Sequence, residues 1–211
     1  MNIFDGIDEE KKELLKSCLR TVKKTYAKNE IIFSYGDRIT SICYIIKGAV
    51  QLSKDDYYKG NKIIVAKIQG GESFAEAFVC AEIEHSKIEA KALEETEILF
   101  LDFKKVLSVC SNACPFHKKL IENLIKVVAK KNLFLRERVE LLGKKTLREK
   151  IMHFLNKEKE KQHAEIFDIP YSRDEFAEYI GADRSALSRE LSKMKKQNLI
   201  DYHKNSFKII Q

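Results

Sequence analysis

The sequence predicts an α+β chain in three consecutive parts: a strand-rich N-terminal half, one long helix, and a C-terminal pair of short helices closed by a hairpin. Three observations carry this. Between Thr25 and Phe103 short apolar runs are broken by turn signals. From Pro115 to Leu142 apolar residues return every three or four positions. From Ser172 onward two helix-start signals flank a glycine.

The length of 211 residues allows one large or two modest cores. A content of 44% hydrophobic and 34% charged residues is that of a globular chain. Its longest apolar runs are too short to cross a bilayer and its start lacks the apolar stretch of a secretory signal, so a cytoplasmic location and no membrane partner are expected. The net charge of +7 suits a polyanion. The excess is mild from Gly143 onward, with 15 Lys and Arg against 11 Asp and Glu, so the motif and not the charge must carry the functional argument. The five cysteines, Cys18, Cys43, Cys80, Cys110 and Cys114, form an odd set without a C-x-x-C pair and read as reduced thiols.

Taken in order, residues 5–23 read as a short helix with Leu14, Leu15, Cys18, Leu19 and Val22 on one side. Strands follow at Ile31–Phe33, Ile42–Ile46, Val50–Leu52, Ile63–Val65 and Ile98–Leu101. Turn signals separate them at Tyr35-Gly36-Asp37, Lys47-Gly48, Lys59-Gly60-Asn61 and Gln69-Gly70-Gly71. That spacing predicts an antiparallel barrel or sandwich. In the long helix Ile121, Ile125, Val128, Asn132, Leu135, Val139 and Leu142 form a heptad seam, with Asn132 as its one polar member at an a-type position. A single buried core helix within one monomer would show such a stripe too, but the regularity of the seam favours a parallel two-chain coiled coil, hence a homodimer. A second stripe, Phe116, Leu120, Leu124, Val127 and Phe134, is placed to dock on the strands. Gly143 then reads as a hinge, Thr146 to Leu155 as a further helix, and Asn156 to Glu165 as a solvated helix end and loop.

Ser172 with Glu175 three positions later forms a capping box, behind which Phe176, Ala177 and Ile180 face a core. Gly181 supplies the turn and Asp183 the next N-cap. In the helix 183–197, Ala186, Leu187, Leu191 and Met194 form the buried face. Arg184, Ser185, Ser188 and Arg189 are left outward near its N-terminal end, the part of a recognition helix that reaches base edges in a major groove. Arg is the side chain suited to guanine O6 and N7. From Leu199 to Ile210 apolar and polar residues alternate around Lys204-Asn205-Ser206, which predicts a two-stranded wing.

The order of parts resembles the CRP/FNR family of bacterial transcription regulators over essentially the whole chain. The resemblance is most specific at Ile169-Pro170-Tyr171-Ser172-Arg173 and from Asp183 to Met194; Lys28 to Asp37 and Tyr44 to Gly48 look like the family's jelly-roll turns. It implies an N-terminal antiparallel β jelly roll (double-stranded β-helix, residues 1–114), a dimerisation helix (115–142) and a winged helix-turn-helix (143–211). It also implies a non-enzymatic, homodimeric regulator with no catalytic residue, which reads palindromic DNA under control of an effector and for which RNA polymerase is a possible partner. Carried over by position, Arg184, Ser185, Ser188 and Arg189 read bases, while Ser172, Arg173 and Asp183 lie at the DNA backbone. Ser185 stands where the cyclic-AMP-binding member has Glu, which implies a changed half-site.

The resemblance places an effector pocket at Gly71, Glu72, Ala75, Glu76, His85 and Ser86. Glu76 fits the family's ribose-binding acid, but Ala75 replaces a glycine. Where a phosphate-binding Arg should stand the chain reads Glu82-Ile83-Glu84-His85-Ser86, with no Arg or Lys. A phosphate needs positive charge and N–H donors, so cyclic nucleotide is not the expected effector and the effector stays unidentified. Cys18 alone near the start does not support a four-thiolate iron–sulfur cluster. Cys110, Cys114 and His117, spaced by four and three residues, leave open a redox-, metal- or haem-responsive regulator, beside the plainer reading of small apolar cysteines and an exposed His. A thiol or metal enzyme using Cys114 and His117 would lack an accompanying acid or phosphate loop, and no metal site is assigned.

Overall fold

The computed structural model describes the chain apart from residues 1, 9, 13–17, 20, 56–61, 109–114 and 211. It divides into two compact units, 1–131 and 132–211, a boundary that falls inside the long helix.

Among the described residues the first unit holds eight strands: β1 (Val22–Tyr26), β2 (Ile31–Phe33), β3 (Ser41–Lys47), β4 (Ala49–Asp55), β5 (Lys62–Gln69), β6 (Ser73–Phe74), β7 (Glu89–Ala92) and β8 (Thr96–Asp102). They form two antiparallel four-stranded sheets, ordered β1-β8-β3-β6 and β2-β7-β4-β5, the interleaving of a jelly roll. Helices α1 (Glu76–Cys80) and α2 (Phe103–Leu107) follow β6 and β8, and α3 runs over Pro115–Leu142.

The continuous apolar runs of β3 and β8 have a physical reason: both faces of that sheet are covered. Cys43, Ile45 and Ile98 pack between the two sheets with Phe33, Val50, Leu52 and Phe74. Their neighbours Ile42, Leu99 and Leu101 point the other way, into a second core with Ile3, Phe4, Leu19, Val106 and Leu120, Leu124 and Val127 of α3. A period of two that is apolar on both faces reads in one dimension as no period. Between β3 and β4 a side chain at Gly48 is excluded, since its φ is +93° and a Cβ there would lie 2.5 Å from the Thr96 hydroxyl.

Strands β1, β6 and β7 are additions to the expected set. The expected helix 5–23 lies partly outside the described residues; residues 10–12 are helical, and Val22 instead opens β1 with its side chain exposed. Within the second stripe of α3, Leu120, Leu124 and Val127 are buried on the barrel as expected, but Phe134 is exposed.

The second unit contains the end of α3, α4 (Leu147–Gln162), β9 (Ile166–Asp168), α5 (Arg173–Ile180), α6 (Arg184–Lys196), β10 (Ile200–His203) and β11 (Ser206–Ile209). Thr146 caps α4 with a complete capping box. The helix continues to Gln162, so the stretch Asn156 to Glu165 is mostly helix end, with a short loop after it. The hairpin gains a third strand, giving the order β10-β11-β9. One core joins Leu141 of α3 to Ile151, Phe154, Leu155, Phe167, Phe176, Ile180, Leu187, Leu191, Met194, Ile200 and Phe207. Because Leu141 belongs to that core, Gly143 lies inside a packed unit, and the reading of it as a hinge is not supported.

Candidate nucleic-acid interface

The local sequence fixes both ends of the two-helix motif. Ser172 accepts from the Glu175 N–H while the Glu175 carboxylate accepts from the Ser172 N–H, the reciprocal pair that starts α5. Gly181 ends α5 at φ +65°, with the Ala182 N–H donating to the Ala177 carbonyl and the Gly181 N–H to Glu178. Asp183 then caps α6, its Oδ1 accepting from the backbone N–H of Ser185 (2.8 Å) and Ala186 (3.1 Å). These hydrogen bonds, first among them the one from the Ser185 hydroxyl at 2.5 Å, hold the Asp183 carboxyl below the usual carboxylate range.

Leu187, Leu191 and Met194 bury one face of α6. Arg184, Ser185 and Arg189 are exposed on the other, and Ser188 is half-buried. Beyond the residues singled out in the sequence, an open groove of about 480 Å³ on this face is lined by Ser188, Arg189, Ser192, Lys193 and Lys196. The signal was the i, i+4, i+8 spacing from Ser188 through Ser192 to Lys196, with Arg189 and Lys193 beside it.

Three sites differ in kind from the expectation. The Ser185 hydroxyl is spent on the Asp183 cap in the DNA-free chain. Asp183 itself is an anion, which a phosphate repels, so a contact of this residue to a DNA backbone cannot run through its carboxylate. Arg173 turns inward. Its Nη2 donates to the Lys204 carbonyl at 2.9 Å, and its guanidinium lies over the Tyr202 and Phe207 rings, 5.5 and 5.7 Å from their centroids. Burial pulls its pKa below the usual arginine value, with Tyr202 opposing. Arg173 therefore braces the wing turn, whose tip exposes His203, Lys204 and Asn205. Arg184 is pinned from below by Asp174 at 3.2 Å, an exposed pair that DNA can displace.

The end of α3 is clamped to this unit. The Arg138 guanidinium lies 4.1 Å over the Tyr179 ring and donates to the Tyr179 carbonyl. Glu137 pairs with Lys157 at 3.3 Å. Of the seam residues, Ile125, Val128, Asn132, Leu135, Val139 and Leu142 are exposed in the single chain, while Ile121 is half-buried against the barrel core.

Several of the residues expected to form the effector pocket have partners of their own. Gly71 forms a turn at φ +86°, and the Glu72 carboxylate accepts from the Gln69 N–H. His85 Nδ1 meets the Gly36 carbonyl at 2.9 Å, and the buried Ser86 hydroxyl donates to the Ile88 carbonyl at 2.6 Å. Ala75 takes the left-handed conformation, φ +67°, where a glycine is favoured. Glu76 is buried and faces a partner that sequence reasoning missed, the Lys131 ammonium of α3 at 2.5 Å. Nothing in the spacing of residues 55 apart signals that pair.

Cys110 and Cys114 lie outside the described residues. His117 is buried, not exposed, with Nε2 on the Val106 carbonyl at 2.6 Å. Among the described residues no group of three His, Cys, Asp or Glu is placed to hold a metal ion. No helix among them is long and apolar enough to cross a membrane.

Residues 23–113 match the family model of the cyclic nucleotide-binding domain, and residues 149–211 that of the Crp-like helix-turn-helix domain. The cAMP-activated global transcriptional regulator CRP of Haemophilus influenzae is 24% identical over 178 residues, 84% of this chain and 78% of that protein. Among solved structures, OCPA-complexed CprK shares the fold at a TM-score of 0.68 with 17% identity, covering 94% of this chain and 91% of that one. A CooA mutant from Carboxydothermus hydrogenoformans does so at 0.63 with 18% identity, covering 100% and 92%. The catabolite activator protein of Thermus thermophilus does so at 0.51 with 21% identity, covering 98% and 92%.

Proposed function

The chain belongs to the CRP/FNR family of transcriptional regulators, non-enzymatic DNA-binding proteins, and on that premise we propose that it is a homodimer reading a palindromic operator. Residues 1–114 would sense, 115–142 pair two copies, and 143–211 bind DNA in the cytoplasm, where RNA polymerase is the partner met at a promoter. The observation that carries the reading is the division of α6. Leu187, Leu191 and Met194 are buried, while Arg184, Ser185 and Arg189 stand exposed at its capped N-terminal end with Ser188 beside them. Arg184 and Arg189 read base edges, joined by Ser185 and Ser188, and the Ser172-capped start of α5 sits at the phosphates. Support for pairing comes from five exposed apolar seam residues on α3, with Asn132 among them, a run of surface that a lone chain leaves in water.

The sensing end takes an effector other than a cyclic nucleotide. Lys131 engages the acid that would meet a ribose, and His85 Nδ1 and the Ser86 hydroxyl are committed to backbone groups. The test is selection of bound duplexes from random DNA by the full-length protein. Recovery of one inverted repeat supports the reading. Binding with a steep salt dependence and no sequence preference rejects it in favour of non-specific packaging.

A further inference from the structure

The stripe of α3 that faces the barrel runs through Leu120, Leu124 and Val127, all buried, and one turn later it reaches Lys131. The Lys131 ammonium donates to the Ser73 carbonyl at 2.6 Å and to Glu76 Oε1 at 2.5 Å. The Glu76 residue is 4% exposed. Its second oxygen and the Ser73 hydroxyl are buried without a partner among the described residues. A carboxylate so far removed from water requires a counter-charge, and Lys131 is the cation that meets it. The backbone prepares the encounter: Ala75 at φ +67° swings the chain from β6 into α1 and buries the first residue of that helix, Glu76.

We propose that Lys131 is a built-in counter-ion occupying the place of an external ligand at Glu76, and that this pair latches the long helix to the barrel in the DNA-competent state. The inference rests on the DNA-reading role proposed above. The same helix presents the exposed seam and, through Arg138 and Leu141, enters the DNA-binding core. Holding α3 in one register on the barrel therefore raises the fraction of molecules whose two recognition helices are correctly spaced, and apparent affinity scales with that fraction. A ligand that reaches Glu76 has to compete with an ammonium, which favours a cationic or hydroxyl-bearing group over a phosphate.

The experiment compares full-length wild-type protein with Lys131→Met and Lys131→Arg by two readouts. One is amide hydrogen exchange in β6, α1 and residues 124–131. The other is affinity for the duplex that the wild type selects from random DNA with no small molecule added. Lys131→Met is expected to exchange about tenfold faster in those segments and bind about tenfold more weakly, with Lys131→Arg restoring most of both. If Lys131→Met does not fold, Glu76→Gln keeps the side-chain shape, removes the charge and is expected to loosen the same segments. Unchanged exchange in the variants overturns the latch whatever happens to DNA binding. So does a wild type that selects a sequence only after a small-molecule extract is supplied. A wild type that selects no sequence under any condition defeats the DNA-reading role instead, and the exchange readout still decides the latch.

Discussion

Arg138 and Tyr179 join the long helix to the first helix of the DNA-binding motif: the guanidinium lies 4.1 Å over the ring and donates to the same residue's backbone carbonyl. Tyr179 in turn stacks on Tyr171 at 4.9 Å and meets Phe154 at 5.3 Å, so the contact enters the core of the unit. Arg138→Ala is expected to lower stability by about 2 kcal/mol, from a charged hydrogen bond and a partly desolvated cation–π contact together. Arg138→Lys should recover less than half, because an ammonium cannot stack as a plane. Urea unfolding followed by circular dichroism measures both.

Gly181 is a second point of contact with the end of that helix. Its φ of +65° disfavours a side chain, and a Cβ would come within 3.1 Å of Leu142 Cδ2. Gly181→Ala should therefore destabilise the protein by about 1 to 2 kcal/mol. Gly181→Asn should cost less than a β-branched substitution, since Asn tolerates the left-handed region. A thermal melt in which Gly181→Val equals wild type would contradict this.

On DNA, Arg184→Ala and Arg189→Ala should each lose about 1 to 3 kcal/mol on the selected operator and relax specificity at one base step. Lys193→Ala, from the groove beyond them, should weaken binding to all duplexes alike and reduce the slope of log affinity against log salt by about 1. Titrations on operator and random duplex at several salt concentrations separate the two classes. Equal loss of Arg184→Ala on both duplexes would assign it to phosphate.

Leu135 is 62% exposed in the single chain. Leu135→Glu should leave the monomer fold intact, convert the dimer to monomer in sedimentation, and remove cooperative binding to the inverted repeat. Asn132→Leu should keep association and broaden it to other oligomeric states, as replacing a polar a-type residue does. A Leu135→Glu protein that still sediments as a dimer would rule out the seam.

Cys43 is buried between the sheets, and burial first, with the Glu76 charge adding to it, pushes its thiol well above the ordinary value of 9.0. The native state keeps a proton that the unfolded chain gives up, so the contribution is fully present below about pH 9 and is lost as pH rises beyond it. Stability is expected to fall with pH in that alkaline window. Cys43→Ala should flatten the fall by the share of one proton, although Tyr26 and Tyr171, also raised by burial, keep part of it. Chemical unfolding from pH 8 to 10.5 reads the slope. Alkylation at pH 8 should reach Cys80 before unfolding and Cys43 only after it.

The DNA-reading end was legible in the sequence because its determinants are local. Ser172, Glu175, Gly181 and Asp183 each make a capping hydrogen bond to a partner within three residues, and a capped helix displays its outward side chains by spacing alone. The outward apolar run on α3 was legible for the same reason. What needed tertiary structure were contacts between residues far apart in the chain. The resemblance implies Arg173 at the DNA backbone, but the returning wing offers Tyr202, Phe207 and the Lys204 carbonyl, and the guanidinium goes there. Gly143 looks like a hinge until Leu141 is found in the C-terminal core. Glu76 looks like a ligand-binding acid until Lys131, 55 residues later, is found against it. Periodicity and capping follow from backbone geometry over a few residues, whereas the partner of a buried charge is chosen by which chain segments pack together, and that only the folded molecule decides.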